Sequence, residues 1–69
     1  MPNIVPTKEY SIREIVILNV LGRTASTVTR KIMEDMASKN ILKARIEGSP
    51  YARRYRIGGE NLIKFLEHV

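Results

Sequence analysis

Two helical hydrophobic patterns joined by a tight bend, and then an abrupt change of period, constrain this chain more than any other feature. Ser11 with Glu14 three residues on is a capping-box pattern: the hydroxyl accepts from a first-turn amide while the carboxylate reaches back to the cap's own N–H. A helix is expected to start there. Ile12, Ile15, Val16, Asn19 and Val20 mark one side of it, and Ile17, Leu18 and Leu21 widen the apolar surface until most of the helix must be covered. A buried strand would show the same apolar run, but the cap favours a helix, and so does Gly22, expected as the left-handed residue that ends it. Thr24 is then a second cap. Ala25, Val28, Ile32, Met33, Met36 and Ala37 recur at intervals of three and four, which predicts an amphipathic helix with both methionines as core filler. Ser26, Thr27, Arg30, Lys31, Glu34, Asp35 and Ser38 occupy its polar side. A gap of about three residues with Gly at the bend is helix-turn-helix spacing.

From Leu42 the period falls to 2. Leu42, Ala44 and Ile46 alternate with Lys43, Arg45 and Glu47, as a half-buried strand requires, and Gly48, Ser49 and Pro50 break the run. A second alternation follows, with Arg53, Tyr55 and Ile57 on one face and Ala52, Arg54 and Arg56 on the other, so the pair reads as a β-hairpin with a basic tip and edge. Gly58 and Gly59 are expected to stop the second strand. Leu62, Phe65, Leu66 and Val69 form the i, i+3, i+4, i+7 stripe of a short closing helix. Residues 1–10 hold Pro2 and Pro6 and little periodicity, which predicts an extended N-terminal arm with Ile4 and Val5 pairing as a short edge strand. The expected fold is α+β: over residues 11–69, a small winged helix-turn-helix with a two-stranded wing and a short C-terminal helix.

Sixty-nine residues allow one domain, since a chain this short buries only about 60% of its unfolded surface. With no Cys, disulfides and thiolate zinc sites are excluded, and His68 alone cannot hold a metal. No cofactor is expected. Neither a continuous apolar segment after a basic start nor a run of 18 apolar residues occurs, so a cytoplasmic or nucleoid-associated protein without membrane contact is expected. Twelve Lys and Arg against seven Asp and Glu give a net charge of +5. Residues 1–38 carry a net +1, residues 39–56 carry +5 and the remainder −1, so the whole excess lies in one short stretch.

This order of elements suits double-stranded DNA, because an α-helix fits the major groove while a hairpin beside it reaches the neighbouring backbone or minor groove. Thr24, Ser26, Thr27, Arg30 and Lys31 are the recognition-helix candidates, lying near the start of the second helix. Arg30 suits bidentate contact with a guanine edge, Lys31 suits a phosphate equally well, and Ser26 and Thr27 are helix-start residues and DNA contacts in equal measure. The wing offers Lys43, Arg45, Arg53, Arg54 and Arg56, whose crowding without enough acids is relieved by a polyanion. Glu34 and Asp35 on the polar side would repel the backbone if the helix lay flat, which predicts entry by its N-terminal end. Tyr55 should pack beneath the hairpin and Tyr51 stack or touch sugar. Gly58-Gly59 lacks the longer Gly-rich pattern of a phosphate loop, and no nucleophile is paired with a base, so no enzyme is expected.

Over residues 10–67 the chain resembles the excisionase family, small winged-helix recombination directionality factors of phages and integrative elements. The resemblance is carried by Tyr10-Ser11-Ile12-Arg13-Glu14, by Leu21-Gly22-Arg23-Thr24 with Thr27-Val28, and above all by Arg54-Tyr55-Arg56-Ile57 followed by Glu60-Asn61-Leu62-Ile63-Lys64-Phe65-Leu66. It implies binding to direct repeats beside an attachment site, self-association on the DNA, bending, and an integrase as partner. Two other readings remain open. One is a winged-helix transcriptional repressor or activator that binds a palindromic operator as a dimer; the other is an interaction module whose wing recruits an acidic partner. The plain alternative for the arginines is a solvated face that keeps a small protein in solution.

Overall fold

The computed structural model describes residues 3–68, so Met1, Pro2 and the last position of the closing stripe, Val69, lie outside the described residues. Over that span the chain forms β1 (Glu9–Tyr10), α1 (Ile12–Leu18), α2 (Ala25–Ala37), β2 (Arg45–Glu47), β3 (Arg54–Gly58) and α3 (Gly59–Glu67). The strands make one antiparallel sheet in the order β1-β3-β2. Three helices and a three-stranded antiparallel sheet make a small α+β domain, compatible with a winged-helix-like arrangement.

The capping box forms as its spacing predicts: the Glu14 N–H donates to Ser11 Oγ at 3.3 Å, and the Ser11 N–H donates to Glu14 Oε1 at 3.2 Å. The end of α1 differs from expectation. Asn19, at φ 57°, is the left-handed residue, and its N–H donates to the Ile15 and Val16 carbonyls. Asn tolerates this conformation because its short polar side chain bonds locally. Gly22 has a different use: a Cβ there would stand 2.7 Å from Thr27 Cγ2, so a larger residue would have to displace the Thr27 side chain in the first turn of α2. Residues 19–24 therefore form a longer connection than the bend read from Gly22.

Helix α2 is capped by Thr24, whose Oγ1 accepts from the Thr27 N–H at 3.2 Å. Its buried stripe is Val28, Ile32 and Asp35, and two expectations fail here. Met33 and Met36 are 56% and 38% exposed, not core filler. The helix packs chiefly against α1, so a narrow stripe suffices to bury it. Asp35, expected on the polar side, is 5% exposed because its carboxylate accepts from the Ile41 and Leu42 N–H groups at 3.0 and 2.9 Å. That pair of bonds ties the end of the helix to the chain returning toward the sheet.

The strand expected from Leu42 begins only at Arg45, because Lys43 sits at φ 48°, outside the extended region. Leu42 is consequently fully buried as a loop residue, while Ile46 is exposed. The hairpin itself forms, with Arg45, Ile46 and Glu47 opposite Arg56, Tyr55 and Arg54. At its turn Gly48 takes φ 95°, where a Cβ would collide with the Ala52 carbonyl oxygen.

Residues 3–10 pack onto the rest of the fold through Ile4 and Tyr10. The strand is Glu9–Tyr10, not Ile4 and Val5, because Tyr10 is the residue that reaches the core, pairing with Ile57 while its hydroxyl accepts from the Val5 N–H at 2.9 Å. Ile4 packs against the same core. The segment also caps α3. Gly59 belongs to that helix rather than ending β3, and the Gly59 and Glu60 amides donate to the Lys8 and Pro6 carbonyls at 2.7 and 3.1 Å. These bonds replace a side-chain cap, which α3 lacks. Tyr10, Ile15, Leu21, Val28, Ile32, Leu42, Ile57 and Leu62 form one core cluster. At about 1.5–3 kcal/mol for each fully buried aliphatic side chain, that cluster has to carry a fold without cross-links.

Candidate nucleic-acid interface

Opposite the buried stripe of α2, helical spacing places Ser26, Arg30, Met33, Glu34 and Ala37 on the outward pole. Ser26 and Arg30 are exposed there, on a side chain-accessible groove shared with Thr29 and Met33. Arg30 Nε lies 3.8 Å from the Glu34 carboxylate, an exposed i,i+4 pair too weak to hold the guanidinium. Thr24 and Thr27 are differently occupied. Their hydroxyls hydrogen-bond each other at 3.0 Å while Thr24 caps the helix, so both serve the helix start in the free protein. Lys31 is exposed on the flank, where it borders a recess with Val20, Glu34, Phe65 and Leu66 at α3.

The hairpin register puts Arg45, Glu47, Arg54 and Arg56 on one face. Two of these arginines are paired, so the expected crowding of positive charge is relieved only in part. Arg45 meets Glu9 at 2.9 Å and Glu47 at 3.5 Å, and Arg56 Nε donates to Glu47 at 3.0 Å. Glu9 had no assigned partner in the sequence; the sheet order brings it to the hairpin. Among the described residues Lys43, Arg53 and Arg54 have no acidic partner. Tyr55 is half-buried against the core, and Tyr51 stands 98% exposed at the hairpin turn.

One residue is missing from the sequence-derived set. Arg13, exposed in the first turn of α1, borders a recess with Ser11 and with Arg53, Arg54 and Arg56 of the hairpin. The sequence carries no signal for this, since Arg13 lies forty residues before Arg53 and looks like a solvated position on α1. The element that relates the two cationic regions is α1, which packs against both α2 and β3. Near it, the Lys8 ammonium sits 2.9 Å from Glu14 and 4.9 Å from the Tyr10 ring centroid. The hydrogen bond from Lys8, followed by that from the Ser11 backbone, holds the Glu14 carboxyl below its ordinary pKa, and the same bond raises that of Lys8.

No group of three or more His, Asp or Glu side chains gathers among the described residues, and no helix among them is long and apolar enough to cross a membrane. Comparison with protein-family models, with curated proteins and with solved structures found no match to this chain.

Proposed function

We propose that this protein is a non-enzymatic double-stranded DNA-binding domain of winged helix-turn-helix type, acting as an excisionase-like architectural factor. The observation that carries the reading is the distribution of unpaired cations. Acids pair with Arg45 and Arg56 within the sheet, yet among the described residues Arg53 and Arg54 on the same hairpin have no acidic partner, nor has Lys43 just before it, and Arg13 borders the same recess as Arg53 and Arg54. Such crowding raises the energy of the free protein and is relieved by a polyanion.

On DNA, α2 would enter the major groove with Ser26 and Arg30 leading, Arg30 leaving its weak contact with Glu34 for a guanine edge. Thr24 and Thr27 hold the helix start, whose free amides favour a phosphate. Lys31 reaches the backbone beside the groove. The wing's arginines follow the adjacent phosphates, each neutralised phosphate steepening the log–log salt dependence by about 0.9. A domain this small gains specificity by occupying adjacent sites, which fits bending of the duplex for an integrase.

Fluorescence anisotropy with duplex oligonucleotides at low and moderate salt, followed by footprinting on an attachment region, tests the proposal. Protection of neighbouring repeats with enhanced cleavage between them is expected, and Arg30→Ala should flatten the preference among sequences. A single palindromic operator protected by a dimer would assign the protein to transcriptional regulation instead. An unchanged anisotropy with every duplex at low ionic strength would overturn DNA binding altogether.

A further inference from the structure

We propose that the recess between the start of α1 and the free edge of β3 is a binding site for one phosphate group; resting on the DNA-binding reading above, it clamps a single backbone phosphate of the duplex. β1 pairs with β3 only at Ile57 and Gly58, because the chain turns away at Ser11 to enter α1. The edge of β3 over residues 54–56 therefore has no strand neighbour on that side. In its place lies a cavity of about 410 Å³, lined by Ser11, Ile12 and Arg13 from the start of α1 and by Arg53, Arg54, Tyr55 and Arg56 from the hairpin.

The nearby acids are committed elsewhere. Glu14 is held by Lys8 at 2.9 Å and by the Ser11 amide and hydroxyl at 3.2 Å. Glu47, on β2, holds Arg56 and Arg45. Among the described residues Arg13, Arg53 and Arg54 have no ion-pair partner, so four arginines line one recess and a single carboxylate pairs with one of them. Each guanidinium is a planar fork of donors with no acceptor, and the recess has no acid lining it, which excludes a cation as its ligand. A carboxylate offers two oxygens in one plane, enough for one fork. A phosphate presents several oxygens in different directions and can take forks from α1 and the hairpin together, so it is the anion that this arrangement favours.

Arg13 is the discriminating position, being exposed, outside the core and on neither the recognition helix nor the wing. In anisotropy titrations across a range of salt, Arg13→Gln should weaken duplex binding by roughly tenfold and reduce the log–log salt slope by about 0.9, while the ranking of sequences stays as in the parent. A parent protein that binds duplex with a slope untouched by R13Q overturns the clamp. If the parent binds no duplex, the DNA reading falls, and inorganic phosphate at constant ionic strength decides the site by 15N NMR. A shift of the Arg54 Nε–H signal in the parent that vanishes in R13Q upholds a phosphate site. No shift, or a shift that survives R13Q, overturns it.

Discussion

Asp35 shows how far one side chain can depart from its place in a pattern. Its spacing from Glu34 and Lys31 assigns it to the solvated side of α2, yet it is buried and accepts two backbone hydrogen bonds from the segment after the helix. Truncation to Ala leaves the Ile41 and Leu42 amides without a partner, and Asp35→Ala should cost about 2–4 kcal/mol of unfolding free energy in urea titrations. Asp35→Asn, which keeps one acceptor oxygen, should cost less. Glu14 and Lys8 set the pH response at this scale. Because Glu14 ionises more easily folded than unfolded, its contribution is present above its ordinary pKa and fades as pH falls through the lowered folded value. Lys8 shifts the opposite way, so its contribution holds below its ordinary pKa and fades as pH rises through the raised value. Both groups are solvent-exposed, so the effect is modest. Melting curves should show a small acid-side loss of Tm that Lys8→Met lessens, the Ser11 bonds to Glu14 remaining, and that high salt reduces.

Among the elements, α3 depends on a segment far from it in sequence. Its first amides are satisfied by the Lys8 and Pro6 carbonyls, and Gly59 is buried where a Cβ would overlap the Val5 carbonyl oxygen. Gly59→Ala should therefore force the two backbones apart and destabilise the domain by about 1–3 kcal/mol, the usual scale for overpacking, with protection of the Glu60 amide lost in hydrogen exchange. Thr24→Ala removes the α2 cap and should cost about 1 kcal/mol. The starts of α1 and α2 were legible in the sequence because Ser11, Glu14 and Thr24 act over a single turn. The strand limits were less so: Lys43 in the left-handed region shortens β2, and nothing in an alternating pattern announces a positive φ at a lysine. Glycine is the stronger sequence signal for the αL residue that ends a helix, so the pattern points to Gly22, whereas Asn19 takes that conformation and Gly22 packs closely on Thr27.

At the scale of the whole molecule the question is which charges remain available to a partner. Glu9 and Glu47 hold Arg45 and Arg56, so substitutions on the wing should not be equivalent. Arg54→Gln should lower duplex affinity with little change in Tm. Arg45→Gln should lower affinity less and disturb the junction of β1 with the hairpin, seen as a reduced Tm that Glu9→Gln reproduces. Equal losses of affinity at both positions would mean that the internal ion pairs dissolve on binding.

Local chemistry written in the chain determined that it would form capped helices, an Arg-rich hairpin and one small α+β core, since caps, periodicity and turn glycines act between near neighbours. Tertiary structure alone decided that Asp35 would be buried, that Met33 and Met36 would face outward, that residues 3–10 would cap α3, and that Arg13 would meet the wing. Each of those outcomes depends on which surfaces come together when the sheet closes, and distances across a fold are not encoded in the spacing of residues along it.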